Sequence, residues 1–261
     1  MSQKRQHAIY EPLRDRQSHI ATLTHDYPAG HLIPMHFHDR DQLVYASHGV
    51  MTVLTSAGIW VVPTLRAVWI PAGVPHSIAM SRTVAMRTLY FKPRLARTLP
   101  RDCCVVNVSP LLRELILYAC RFHALKKRVP RQRHLIDLVV DELAAIQTVP
   151  LQLPHLSDPR ARRIAEIVLL NPSNSLTLGQ LCKEAGASKR TLERLFQDEA
   201  GMTFGKWRQQ LRLMHAVRLL AGGAKVTHAA LEAGYSTPSA FICMFKKVLG
   251  VTPALYFKAA A

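Results

Sequence analysis

The side chains with chemistry to offer fall into two sets. The first is His36-Phe37-His38, then Gln42, then His76 at the end of Pro71-Ala72-Gly73-Val74-Pro75-His76. In an extended segment residues i and i+2 share a face, so His36 and His38 can enter one pocket that His76, from another strand, completes. Three neutral imidazoles and an amide oxygen suit Zn²⁺, Ni²⁺ or Fe²⁺, and equally suit the polar wall of a pocket for a small organic ligand. Turnover there would need an acid or base, and the set has no carboxylate and no second candidate general base. The second set is mostly cationic: Lys189, Arg190, Glu193, Arg194 and Gln197, and later Thr237, Ser239, Lys246 and Lys247. Arg190 and Arg194 can make bidentate contacts to guanine or phosphate, Lys189, Lys246 and Lys247 can meet phosphates, and Gln197 or Ser239 can touch base edges. Glu193 suits a base contact to cytosine or an ion pair with a neighbouring arginine.

The bulk composition agrees with an anionic partner. The chain has 261 residues, with 34 Lys and Arg against 17 Asp and Glu, for a formal net charge of +17. Such a surplus attracts polyanions, either nucleic acid or an anionic membrane surface. The length accommodates one large or two small domains. Cys103, Cys104, Cys120, Cys182 and Cys243 form an odd set without C-x-x-C spacing, which argues against a disulfide framework or a zinc knuckle and for a reducing cytosol. Met1 to His7 leads into polar sequence with no signal peptide visible. The most apolar stretch, Leu43 to Pro75, is broken too often to give the roughly 20 apolar residues of a membrane span. A soluble, cytoplasmic protein is expected.

Two kinds of element must position these side chains. From His19 to Phe91 short β-branched and aromatic runs alternate with Gly and Pro. Val50 to Thr55 and Ile59 to Val62 read as a hairpin, and Ala67 to Ile70 and Val84 to Phe91 as further strands, together a small barrel or sandwich. Leu111, Leu112, Leu115 and Ile116, then Leu135, Ile136, Leu138, Val139 and Leu143, recur at helical spacing within Leu111 to Gln147. Arg121 to Arg133 between them reads as a solvated basic connection. Pro150, Pro154 and Pro159 place a boundary.

Downstream, Thr177 to Gly186 reads as a short helix closed by a glycine, and Ser188 caps a second over Lys189 to Glu199 that buries Leu192, Leu195 and Phe196. The pattern returns with Val226 to Ala233, Gly234, and a helix capped by Thr237 or Ser236 that buries Phe241, Met244, Phe245 and Val248. Each pair is a helix-turn-helix whose second helix turns polar side chains toward a major groove. Between them Thr203 to Leu220, about 27 Å long, can hold two recognition helices in adjacent grooves. Trp207 lies on its apolar stripe and reads as core.

From Arg162 to Tyr256 the chain resembles the AraC/XylS family of bacterial transcription regulators. Leu181, Ala185, Gly186, Ser188, Arg190, Leu192, Phe196, Gly201, Trp207 and Arg212 carry the likeness, with Gly234-Tyr235 and Gly250-Val251-Thr252-Pro253 as its most specific part. Cys182 departs from the alanine usual in the family, and Leu231 from a small or β-branched residue. Upstream, the spacing Gly30, His36, His38, Gln42, Gly49 is similar to the first cupin motif, with Gln42 in the glutamate place. The Pro71 to His76 run is similar to the second, with Met80 in the asparagine place.

The resemblance implies an α+β fold: a cupin-like β-barrel over 1–100, a helical dimerisation or linker segment over 101–154, and an all-α DNA-binding domain over 155–261 with helix-turn-helix units at 177–198 and 226–248. It implies a sequence-specific regulator of promoter DNA modulated by a small effector, a homodimer, RNA polymerase as a partner, and no enzymatic activity. Candidate effector ligands are His36, His38, Gln42 and His76, which are also the candidate set for a divalent metal. The competing classes are a cupin enzyme with a DNA-binding appendage and a protein-bridging module without DNA affinity.

Overall fold

The computed structural model describes Asp15 and residues 17–96, 99–144, 148–149 and 152–258; Met1 to His7, Gln147 and Pro150 lie outside the described residues. Two compact units emerge, Met1–Thr55 with Val62–Val149, and Ser56–Val61 with Pro150–Ala261.

In the first unit strands β1 (Ile20–Tyr27), β2 (Leu32–His36), β3 (Asp41–His48) and β4 (Met51–Thr55) come first. The turn Ser56-Ala57 then leads into β5 (Gly58–Val62), which belongs to the second unit except for its last residue. The first unit continues with β6 (Arg66–Ile70), β7 (His76–Met80), β8 (Val84–Phe91), β9 (Cys104–Asn107), helix α1 (Pro110–Ala119), β10 (Ala124–Leu125), α2 (Pro130–Ala144) and β11 (Thr148–Val149). Seven of these strands form an antiparallel sheet in the order β10-β1-β8-β3-β6-β9-β11. In a second layer β7 pairs with β4 on one side and with β2 on the other.

Of the small barrel or sandwich expected, the strands take the sandwich form, two sheets without closure into one barrel among the described residues. Closure requires the outermost strands to hydrogen-bond each other, whereas the seven-stranded sheet ends in the two-residue strands β10 and β11 and the other layer ends at β2.

The helices after the strands share the strands' core. Leu112 and Ile116 of α1 and Ile136 and Val139 of α2 are fully buried with Ile20, Leu43, Tyr45, Leu89 and Phe91. Burying each such side chain is worth about 1.5–3 kcal/mol. Ser109 accepts the Leu112 N–H at 3.0 Å as N-cap and donates its hydroxyl to Glu142 at 2.8 Å, which ties α1 to α2. Leu111 and Leu138 remain exposed on the outer side.

The second unit contains β12 (Gln152–Pro154), paired antiparallel with β5, and helices α3 (Pro159–Leu170), α4 (Leu178–Ala185), α5 (Lys189–Ala200), α6 (Phe204–Ala221), α7 (Val226–Glu232), α8 (Pro238–Leu249) and α9 (Pro253–Lys258). Cap chemistry sets most of these boundaries. Thr177 and Gln180 form a reciprocal capping box at α4, Ser188 accepts the Thr191 N–H at α5, Thr203 accepts the Lys206 N–H at α6, and Thr237 accepts the Ala240 N–H at α8. Helix α6 is the spine, packing against α5, α7 and α9. Trp207 on α6 is buried, its indole edge-on to Phe196 at 5.6 Å between centroids and its N–H donated to the Pro154 carbonyl at 3.3 Å.

Candidate functional site

The polar side chains singled out in the second unit sit on two helices of like construction. Helix α4 ends at Gly186, whose φ of +59° lets the chain turn directly into α5. Helix α7 is followed by Gly234 at φ +77° before α8. At Gly234 an added Cβ would lie 2.8 Å from the Arg212 guanidinium and 2.9 Å from the Ser173 Cα, so this turn accepts only glycine. Arg212 is held there by bonds to the carbonyls of Pro172 and Asn174, at 3.0 and 2.9 Å.

Each recognition helix buries one face. On α5 that face is Leu192, Leu195, Phe196 and Ala200, which leaves Lys189, Arg190, Glu193, Arg194 and Gln197 exposed. On α8 it is Phe241, Met244, Phe245 and Leu249, which leaves Thr237, Ser239, Cys243, Lys246 and Lys247 exposed. Val248, expected in that stripe, is only half-buried, and Leu249 is the buried residue beside it. Glu193 pairs with Lys189 at 3.7 Å rather than with an arginine, and Arg194 lies 3.6 Å from Asp198. Pairs this exposed are worth only ~0.3–0.5 kcal/mol, so a phosphate or base edge can displace them.

In the first unit His36, His38 and His76 come together. His36 is the last residue of β2 and lies opposite His76, the first residue of β7. The register shifts between Ile33 and His36, and this bulge sets the half-buried His36 against the buried His76. Ring centroids are 4.3 Å apart for His36 and His76, 5.2 Å for His38 and His76, and 6.1 Å for His36 and His38. One ring nitrogen from each lies within 4.8 Å of the others. Gln42, on β3, completes the set, its Oε1 2.8 Å from His38 Nε2.

Backbone carbonyls hold all three rings the same way. Nδ1 of His36 is 2.9 Å from the Pro34 oxygen, Nδ1 of His38 is 2.7 Å from the Arg40 oxygen, and Nδ1 of His76 is 2.9 Å from the Val74 oxygen. An Nδ1–H donated to a carbonyl leaves Nε2 as the lone-pair donor, which is how metal-ligating histidines are oriented. His76 is fully buried, and its Nε2 has no hydrogen-bond partner among the described residues. Burial pushes its pKa down to about 4 and also lowers that of His38, so both rings are neutral near pH 7, as coordination requires. The orphaned Nε2, the three carbonyl braces and the amide oxygen of Gln42 fit a divalent transition metal, which would act there as a Lewis acid.

Tyr90 joins the set with no signal in the local sequence. It is buried on β8, receives the Gln42 amide N–H at its hydroxyl at 3.1 Å, and stands edge-on to His38 at 5.0 Å. Only strand pairing brings it there, so no local motif announces it.

Among the described residues no helix is long and apolar enough to cross a membrane. Residues 20–153 match the AraC-like ligand binding domain model and residues 181–259 match a helix-turn-helix domain model. The HTH-type transcriptional regulator NimR of Escherichia coli is 38% identical over 247 residues, covering 95% of this chain and 90% of that protein. The HTH-type transcriptional regulator RipA of Corynebacterium glutamicum is 30% identical over 116 residues, or 44% of this chain and 35% of that protein. A crystal structure of unsaturated fatty acid bound ToxT from Vibrio cholerae aligns with 12% identity and a TM-score of 0.39, covering 91% of this chain and 94% of that one. With one family model spanning half the chain and a full-length relative at 38% identity, the chain belongs to the AraC family: it is a DNA-binding helix-turn-helix transcription regulator with an N-terminal ligand-binding domain.

Proposed function

We propose that α5 and α8 enter adjacent major grooves of promoter DNA, with Arg190 and Arg194 reading bases or phosphates, Lys189, Lys246 and Lys247 on phosphates, and Glu193, Gln197, Thr237 and Ser239 near base edges. The observation that carries this is the repeated build: two helix pairs, each turned by a left-handed glycine, each second helix exposing polar and basic side chains opposite a buried aromatic stripe. A helix of 18 residues, about 27 Å long, joins them. Successive faces of the major groove recur about every 34 Å.

The effector is assigned to the histidine cluster of the first unit, where His36, His38, Gln42 and His76 bind a small molecule directly or through a divalent metal. Its binding shifts the protein between states of different operator affinity, which requires that the effector prefer one state. Dimerisation through the outer faces of α1 and α2, around Leu111 and Leu138, and contact with RNA polymerase in the cytoplasm complete the reading. The cluster holds no carboxylate to serve as a general base, which supports sensing over turnover.

The test is binding of the purified protein to DNA upstream of its own and adjacent genes, titrated with random competitor at fixed salt. Competitor-resistant binding is expected. Displacement by random DNA as readily as by the specific fragment at every salt concentration would overturn specific recognition.

A further inference from the structure

A cavity of about 470 Å³ in the first unit includes none of the residues of the histidine cluster. That volume falls within the range of small-molecule sites. Its wall is largely apolar: the buried Trp69 and Ala96, the half-buried Leu99, and Pro71, Pro93 and Pro100. The Trp69 indole N–H is donated to the Pro100 carbonyl at 3.1 Å, which occupies its one polar atom and leaves the ring as apolar surface.

Two cations stand in that wall, Arg94 and Arg101. Both are exposed, and the side chain of neither has a hydrogen-bond or ion-pair partner among the described residues. The one acid, Asp41, accepts the Ala72 N–H at 2.9 Å and so holds the Pro71-Ala72 stretch of the wall. With two positive charges against one negative, the cavity favours an anion. Arg94 is held there in a strained conformation. It is third in the tight turn Lys92-Pro93-Arg94-Leu95, closed by the Leu95 N–H on the Lys92 carbonyl at 3.0 Å, and its φ is +67°. Glycine is favoured at that place in a turn, and Arg94 is the only non-glycine residue with positive φ among the described residues. A glycine would remove the strain together with the cation, and strain of this kind points to function.

We propose that this cavity binds a small organic carboxylate with an apolar body, the carboxylate held by Arg94 and Arg101 and the body packed on Trp69, Ala96 and Leu99. A guanidinium presents paired N–H donors that match the two oxygens of a carboxylate. The apolar wall offers a bare inorganic anion nothing to bury. A shared loop links this site to the histidine cluster. Pro71 and Ala72 line the cavity, and the next two residues serve the cluster: the Gly73 N–H is donated to the His38 carbonyl at 2.8 Å, and the Val74 carbonyl braces Nδ1 of His76. A ligand packed against Pro71 and Ala72 thus bears on the loop that orients His76, which makes the cavity a second input to the ligand-binding domain.

The test is titration of the full chain with phenylacetate and with its uncharged counterpart phenylacetamide, followed by calorimetry and by the Trp69 indole N–H resonance. Saturable binding of phenylacetate that moves the Trp69 resonance is expected. Phenylacetamide should bind about tenfold more weakly or weaker still, because the charge-assisted bonds to arginine are lost. That comparison is made in wild type and needs no variant to fold. The double variant Arg94→Gln with Arg101→Gln should lose about the same factor for phenylacetate and nothing for phenylacetamide. Equal affinity of wild type for acid and amide would overturn the proposal, as would undiminished phenylacetate binding by the double variant. Absence of saturable phenylacetate binding would overturn it too, and binding that leaves the Trp69 resonance in place would put the acid elsewhere on this basic chain.

Discussion

Gly58 and Leu153 meet so closely across the β5–β12 pair that a Cβ on Gly58 would lie 2.2 Å from the Leu153 carbonyl oxygen. The φ of Gly58 is +147°, outside the range L side chains favour, so space and backbone conformation both require glycine. Gly58→Ala is therefore expected to cost about 1–3 kcal/mol, as overpacking against backbone does. Urea unfolding followed by circular dichroism measures it, and an unchanged midpoint would show that the two strands part without consequence.

Arg194 is two-thirds exposed, and its only ion pair among the described residues is the loose one with Asp198. If it reads a base, Arg194→Ala should weaken operator binding by about 1–3 kcal/mol and random-DNA binding much less. Equal losses on both would make it a phosphate contact. Lys247→Ala, by contrast, should reduce the slope of log affinity against log salt by about 1 with little change in sequence preference.

Cysteine chemistry offers a footprint of the same face. Cys243 is exposed on α8 beside Lys246 and Lys247, whereas burial pushes the thiols of Cys103, Cys104 and Cys120 up to about 11 and leaves them protonated at neutral pH. N-ethylmaleimide should label Cys243 first, and operator DNA should protect it. Labelling at an undiminished rate on saturated DNA would remove α8 from the groove.

The pH dependence of stability should carry the mark of His76. Its pKa falls from 6.5 to about 4 on folding because burial penalises the charged ring. Between those values the unfolded chain binds the extra proton, so stability rises with pH through this window and is complete above about 6.5. The loss on acidification from pH 6.5 toward 4 is on the order of 3 kcal/mol. Metal-free wild type and His76→Phe, which removes the titrating ring, should converge in melting temperature as pH falls. Parallel curves would exclude the assignment.

The helical half was legible because its signals are local. Caps at Thr177, Ser188, Thr203 and Thr237 and turn glycines at Gly186 and Gly234 act on neighbours within a few residues, and an apolar face repeats with the helical period. Leu249 rather than Val248 is the buried residue at the end of α8, and the helical period places it there, four residues after Phe245 and eight after Phe241.

The strand half was legible only as strands. The sequence by itself determined that histidines at 36, 38 and 76 and an amide at 42 stood at spacings able to share a pocket. It also placed β6 and β8 within a residue, and determined which helix faces carry charge. Tertiary structure decided between barrel and sandwich, and it set the bulge that brings His36 against His76, the carbonyls that brace each imidazole, and the meeting of Gln42 with Tyr90. The difference is physical: caps and periodicity are interactions between near neighbours, whereas strand register joins residues such as Gln42 and Tyr90 through a pairing that neither segment encodes alone.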